Sequence, residues 1–246
     1  MSKSKRNSHQ TKNSTPGGVS RETKNSTPEG VSRETKNSAP GGVNRTKSAR
    51  LGGGDRIRQK NEMGEVRIIG GDFRGRKLPV RQAEGLRPTS DRIRETLFNW
   101  LQFEVPGASC LDVFSGSGAL GFEALSRGAA SVVCLELSAQ NANQLKANQQ
   151  LLKAENISVI QTDSLAWLEN HAEKPFDIIF IDPPFHQGLM QPTLDKLFAK
   201  GYIGDSTWLY LEQEKALDWP LLPEEWVCYR EKTTAQVRLG LWCIEH

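Results

Sequence analysis

The chain has no apolar run near the ~20 residues that a membrane-spanning helix requires. Its N-terminus is basic, but no apolar segment follows the charges, so it does not read as a secretory signal. Cysteine is sparse. Cys110, Cys134, Cys228 and Cys243 form no C-x-x-C pair and have no histidine at ligand spacing. That argues against zinc and against a disulfide framework, and for reduced, mostly structural thiols in a cytoplasmic protein. The first sixty residues have almost no apolar side chains. They carry a repeat of period 12, written TKNSTPGGVSRE, TKNSTPEGVSRE and TKNSAPGGVNR, with one Val per unit. One Val cannot bury enough surface to offset chain entropy, which excludes a solenoid. Residues 1–62 are expected to form a disordered basic tail. It is either an expanded repeat without a role or a flexible tether that adds affinity for a polyanion through phosphate contacts.

The net charge of +3 conceals three zones. Residues 1–64 hold 14 Lys and Arg against 5 Asp and Glu, and residues 65–94 hold 8 against 4. From residue 95 onward the balance reverses to 10 against 20. The front of the protein is therefore expected to handle a polyanion. Val66, Ile68 and the turn at Ile69-Gly70-Gly71, followed by Asp72–Val80, read as a β-hairpin whose loop is Gly-rich and basic. Arg74, Arg76 and Lys77 suit phosphate neutralisation, with Phe73 among them for base stacking. A solvated hairpin with ordinary surface arginines is the alternative. Thr89 or Ser90 can cap a helix from Asp91 to about Leu101, with Ile93, Leu97, Trp100 and Leu101 on its buried face. Arg92 and Glu95 fall on other faces.

From residue 108 the chain alternates. Strands are expected at 109–114, 131–136, 157–161, 176–181 and 207–212, with helices at 119–127, 138–153, 164–171 and 189–200. Such alternation predicts an α/β fold, a parallel sheet with helices on both faces. The runs 226–231 and 235–244 leave no room for a helix and should close as an antiparallel C-terminal hairpin around residues 232–234. The expected domains are the tail at 1–62, a hairpin and helix at 63–104, and a cofactor domain at 105–246.

The first strand leads into Ser115-Gly116-Ser117-Gly118-Ala119-Leu120-Gly121, a G-x-G-x-x-G turn opening a helix. Glycines there let backbone approach a ligand, and a helix N-terminus offers free N–H groups. The motif alone fits a dinucleotide or another adenosine cofactor. Asp112, at the strand end, would repel a pyrophosphate and suits a ligand bearing an amino group and a sulfonium. Glu136 ends the next strand, where an acid commonly receives ribose hydroxyls, although an exposed structural acid is also common there. Asp163 and Ser164 follow the third strand, where either is also allowed as the cap of the helix that starts there. Asp182-Pro183-Pro184-Phe185 follows the fourth. The prolines make a stiff turn with outward carbonyls. A carboxylate and a Pro carbonyl can hold the two hydrogens of an exocyclic amine while the Phe ring stacks on its base. His186 comes next and is not assigned catalysis.

The Gly-rich stretch resembles motif I of the class I S-adenosylmethionine-dependent methyltransferases, and Asp182–Phe185 resembles the (Asp/Asn)-Pro-Pro-(Phe/Tyr) motif of amino methyltransferases. With Arg87-Pro88-Thr89-Ser90-Asp91-Arg92-Ile93-Arg94-Glu95-Thr96-Leu97-Phe98-Asn99-Trp100, residues 65–246 resemble the RsmD-type 16S rRNA (guanine-N2)-methyltransferases. The resemblance implies a Rossmann-like seven-stranded methyltransferase sheet of order 3-2-1-4-5-7-6 with a small N-terminal β-hairpin extension. It implies S-adenosyl-L-methionine as cofactor, held by Asp112, Gly116, Gly118, Glu136, Asp163 and Ser164, with Asp163 on the adenine amine. It implies Asp182, Pro183 and Phe185 as catalytic residues and no metal. Its helix over the site brings Arg87 and Arg92 toward RNA, and Thr89 toward the methionine end or the RNA. The implied partner is 16S rRNA within 30S particles, met by a monomer. The alternatives are an adenine-N6 DNA methyltransferase and a non-catalytic RNA-binding assembly factor.

Overall fold

A computed structural model of the protein describes residues 63–81 and 90–245. The repeat tail at 1–62, Arg87 and Thr89 lie outside the described residues.

Seven strands form the main sheet: β3 (Ser109–Asp112), β4 (Ser131–Glu136), β5 (Ile157–Gln161), β6 (Ile178–Ile181), β7 (Trp208–Glu214), β8 (Trp226–Thr233) and β9 (Val237–Ile244). Their order is β5-β4-β3-β6-β7-β9-β8. Counted from β3 as the first strand, this is the expected 3-2-1-4-5-7-6. β3 to β7 pair in parallel, and β9 runs antiparallel to both β7 and β8. All residues of β3 and β6 are buried. That is the signature of strands covered on both faces, and it explains their unbroken apolar runs.

The helices are α1 (Asp91–Trp100), α2 (Ala119–Ser126), α3 (Ala139–Leu152), α4 (Ser164–Trp167) and α5 (Met190–Ala199). The expected helix at 164–171 shrinks to four residues, and β3 ends at Asp112 rather than 114. Lys232 and Thr233 belong to β8, so the final turn is at 234–236. Ser90 caps α1 through Ile93 N–H, as one of the two expected candidates.

The face of α1 differs from the expected one. Arg94, Leu97 and Phe98 are buried along it, with Leu101 at its end, while Ile93 and Trp100 are half-buried. Apolar periodicity cannot flag Arg94, because what draws it inward is polar. Its Nη2 donates to Arg67 O at 2.8 Å and to Asp91 Oδ1 at 2.6 Å. Its Nη1 lies 3.9 Å from Glu123 Oε2.

Glu123 is fully buried on α2 and anchors the N-terminal hairpin, β1 (Met63–Arg67) and β2 (Lys77–Arg81). Its two carboxylate oxygens accept from Ile69 N–H and Gly70 N–H, both at 2.8 Å, and from Arg127 Nε at 2.7 Å. Ile68 and Leu78 then enter the same apolar cluster as Leu97, Phe98, Phe122 and Phe180. The hairpin thus shares the core of the sheet. Phe73 packs half-buried against that cluster, which turns its ring away from the base-stacking role expected for it.

Glu123→Ala should destabilise the protein by about 3–5 kcal/mol, since it leaves the Arg127 guanidinium and two N–H groups without their acceptor and the buried Arg94 without a nearby opposite charge. Urea unfolding checks this, and a loss under 1 kcal/mol would mean that the carboxylate does not anchor the hairpin.

Candidate active site at the carboxyl edge of the sheet

β3 stops where the chain must turn sharply into α2, and the glycines make that turn. Gly118 has φ +76°, and a Cβ on it would sit 2.6 Å from Leu145 Cδ2. A Cβ on Gly121 would sit 2.7 Å from Cys134 Sγ and 3.3 Å from Asp112 Oδ2. Gly121 therefore lets α2 lie close against β3 and β4, and Gly118 leaves room for Leu145 of α3 beside the turn.

Two buried carboxylates hold this turn. Glu136 Oε2 accepts Gly116 N–H at 2.8 Å, and its Oε1 accepts Ser138 N–H at 2.8 Å and Asn141 Nδ2 at 3.4 Å. Burial pushes the Glu136 carboxyl above its usual range, against those hydrogen bonds. Asp112 Oδ2 accepts Gly121 N–H at 3.2 Å. Burial, the larger cause, and the nearby Glu136 charge push Asp112 up to about 7, although the Gly121 bond favours its ionised form. Both acids are therefore structural as well as candidate ligand contacts. Ser164 Oγ is buried and donates to Val113 O at 2.5 Å, which binds α4 to the end of β3. Asp163 is exposed and caps α4 through Ala166 N–H at 2.8 Å.

These residues surround one cavity of ≈ 1760 Å³. Asp112, Gly116, Glu136, Asp163, Ser164, Asp182, Pro183, Phe185 and Arg92 all line it. Gly118 lies beneath the lining and acts through the shape of the turn. A cavity of this size exceeds the ~300–1,000 Å³ of most single-ligand pockets, so it has room for a cofactor and an extruded base together. Its lining suits S-adenosylmethionine: the buried acid Asp112 would favour a cationic group, Glu136 would suit hydroxyls, and Leu135 and Leu137 beside it would suit an apolar ring.

Asp182 to Phe185 form the loop after β6. Pro183 is buried, Asp182 half-buried, and Phe185 is 42% exposed at the mouth. His186 takes φ +63°, and its N–H donates to Glu214 Oε1 at 2.6 Å. This bond from β7 fixes the loop's exit in a conformation that costs a non-glycine residue ~1 kcal/mol or more.

Arg74, Arg76 and Lys77 are exposed on the hairpin outside the cavity lining. Lys77 pairs with Glu65 at 2.8 Å, and Arg76 reaches Leu151 O at 3.3 Å. Among the described residues, the basic ones on the cavity wall are Arg81, Arg92, His186 and Lys232. Sequence reading missed Lys232, whose Nζ donates to Thr96 Oγ1 of α1 at 2.7 Å. It also missed Glu212, a buried acid of β7 on the same wall. Position was the available signal for Glu212, since it ends the apolar run Trp208–Leu211 as Asp182 ends the run before it.

A cationic ligand beside Asp112 favours the carboxylate, so binding should release a proton. The fraction of protein with Asp112 ionised then limits apparent affinity. S-adenosylmethionine affinity should rise roughly fivefold from pH 6 to pH 7 and level off above, and Asp112→Asn should flatten this profile. Calorimetry checks both, and a flat wild-type profile would contradict the account.

The family model described as "Conserved hypothetical protein 95" matches residues 66–243. The chain is 49% identical over 191 residues to a ribosomal RNA small subunit methyltransferase D of Haemophilus influenzae, covering 76% of this chain and 98% of that protein. It is similar to the solved structure of a putative methyltransferase from Escherichia coli, with TM-score 0.69, 43% identity, and coverage of 74% of this chain and 99% of that one. A putative methylase structure from H. influenzae matches with TM-score 0.63 and 46% identity over 73% of this chain and 98% of that one. With a family match across most of its length and relatives this similar, the chain belongs to the RsmD-type family of class I S-adenosylmethionine-dependent methyltransferases.

Proposed function

We propose that this enzyme transfers a methyl group from S-adenosylmethionine to the exocyclic N2 amine of a guanine in 16S rRNA, within small-subunit particles in the cytoplasm. The observation that carries this reading is the sharing of one cavity by the Gly-rich turn and the Asp182–Phe185 loop. The relative from H. influenzae is named for methylation of small-subunit ribosomal RNA.

The cofactor supplies an electrophilic methyl group on a sulfonium. The protein's part is to hold the amine. An aryl amine is a weak nucleophile because its lone pair is delocalised into the ring. The Asp182 carboxylate and the Pro183 carbonyl accept its two hydrogens and favour the pyramidal nitrogen that can attack. Phe185, exposed at the mouth, stacks on the base after extrusion. Burial of Pro183 and the Glu214 bond to His186 keep these acceptors fixed, so little reorganisation is left for the reaction itself. The proton leaves after transfer, so no strong base is needed.

RNA reaches the cavity past Arg81, Arg92 and Lys232 on its wall, with Arg74, Arg76 and Lys77 further out on the hairpin. The acidic half of the chain lies behind this basic front. Arg87 belongs to the same proposal and lies outside the described residues.

Asp182→Ala should lower methyl transfer by ~10²-fold or more, as for loss of one preorganised transition-state partner. Asp182→Asn keeps an oxygen acceptor and should retain more activity. A tritium-transfer assay on undermethylated 30S particles gives the order, and equal rates for Asp182→Ala and wild type would place the amine elsewhere. Neutralising Arg74, Arg76 and Lys77 together should weaken RNA binding and reduce its salt slope, with cofactor affinity unchanged. An unchanged slope would mean that RNA enters by another face.

A further inference from the structure

Glu212 has no part in the reaction as derived so far, yet it lies on the cavity wall. Ile181 of β6 pairs with Leu211 of β7, so Asp182 and Glu212 are the next residues along two adjacent strands. Phe180 pairs with Tyr210 two residues earlier, and this alternation sets Asp182 and Glu212 on one face of the sheet. Beyond Glu212 the same row continues through Leu239 of β9 to Lys232 of β8. Lys232 closes the row by reaching up to Thr96 of α1.

Glu212 is 5% exposed. Among the described residues its one hydrogen bond comes from Tyr210 Oη, at 2.6 Å to Oε2. Its neighbour in register on the other side is Leu239, which offers nothing polar. Burial accordingly pushes its carboxyl above the usual range, with the Tyr210 bond the one influence opposing the shift. Tyr210 is itself fully buried, and Asp182 and Glu212 both disfavour its phenolate. A carboxyl this poorly partnered is costly, and an apolar side chain would pack the same place more cheaply. Such a group on the wall of a reaction cavity points to a ligand contact.

The chemistry of the base says which contact. On its Watson–Crick edge guanine presents N2–H beside N1–H, two neighbouring donors that point the same way. Adenine and cytosine instead set their amine beside a ring nitrogen that accepts. Two carboxylates in adjacent rows, Asp182 just past β6 and Glu212 beside it on β7, match two adjacent donors. We infer that Glu212 accepts the N1–H of the guanine whose N2 amine Asp182 holds, and so makes the site selective for guanine over bases with an acceptor at that position. This rests on the proposed guanine-N2 reaction. It adds a residue that specifies the base without touching the atom that is methylated.

The test uses 2-aminopurine, which keeps the exocyclic 2-amine and replaces N1–H with a lone pair. Full-length 16S rRNA carrying guanine or 2-aminopurine at the methylated position is made by splinted ligation, assembled into particles and assayed with the whole enzyme. Wild type should prefer guanine by ~10–100-fold in kcat/KM, the range for orphaning a hydrogen bond at a charged group. Glu212→Gln presents either an oxygen or an NH2 to the base, so the preference should fall to within about threefold while guanine turnover itself drops. Comparing the two enzymes cancels the intrinsic reactivity of the two amines. If Glu212→Gln does not fold, wild type alone decides through competition: particles carrying 2-aminopurine should inhibit at least ~10-fold less well than those carrying guanine. A wild-type preference near one, equal inhibition, or a preference unchanged in Glu212→Gln would each overturn the inference. Absence of transfer to the guanine particle would instead sink the guanine-N2 reading, and this inference with it.

Discussion

The site depends on how two buried acids hold a turn made of glycine. Glu136 grips Gly116 N–H and the first turn of α3, and Asp112 grips Gly121 N–H inside α2. Carboxylates of this kind are expensive to bury, and these two are only partly compensated, as their raised carboxyl pKa values show. What they secure is geometry. The ends of β3 and β4 and the starts of α2 and α3 become one rigid corner on the cavity wall. A corner that must accept a cationic sulfonium ligand benefits from the same negative charge that makes it costly when empty. In this site, cofactor binding and local stability therefore share their electrostatics.

A second set of charges organises the opposite side. Glu123 draws Ile69, Gly70, Arg94 and Arg127 into one buried network and thereby fixes the N-terminal hairpin against α1 and α2. Lys232 ties the far edge of the sheet to α1. α1 is thus fastened both to the hairpin and to the sheet edge, and its exposed Arg92 stands at the wall. Acids sit inside and along the sheet edge, while bases stand on the rim and the hairpin. That separation suits an enzyme that must attract a polyanion and then admit one nucleobase to an acidic slot.

Much of this was legible in the sequence because the signals are local. The G-x-G-x-x-G turn, the strand alternation and Asp182-Pro183-Pro184-Phe185 each occupy a few consecutive residues, and each lies where its pattern indicates. The strand order came from the family resemblance and agrees with the structure. What stayed hidden depends on pairing across the fold. Arg94 is buried because Arg67, Asp91 and Glu123 surround it, and none of these is near the apolar spacing that defines a helix face. Glu212 and Lys232 matter only once β7, β9 and β8 lie side by side. Phe73, set among cations in the chain, packs against the core because Ser126 accepts its N–H at 2.9 Å and turns the loop inward.

The central claim is that one cavity brings a methyl donor to the N2 amine of an rRNA guanine. Nucleoside mass analysis of 16S rRNA, after undermethylated small-subunit particles are incubated with the enzyme and isotopically labelled S-adenosylmethionine, tests it most directly. The account predicts label in N2-methylguanosine at a single site. Label in N6-methyladenosine, or none in RNA despite measured cofactor binding, would contradict it.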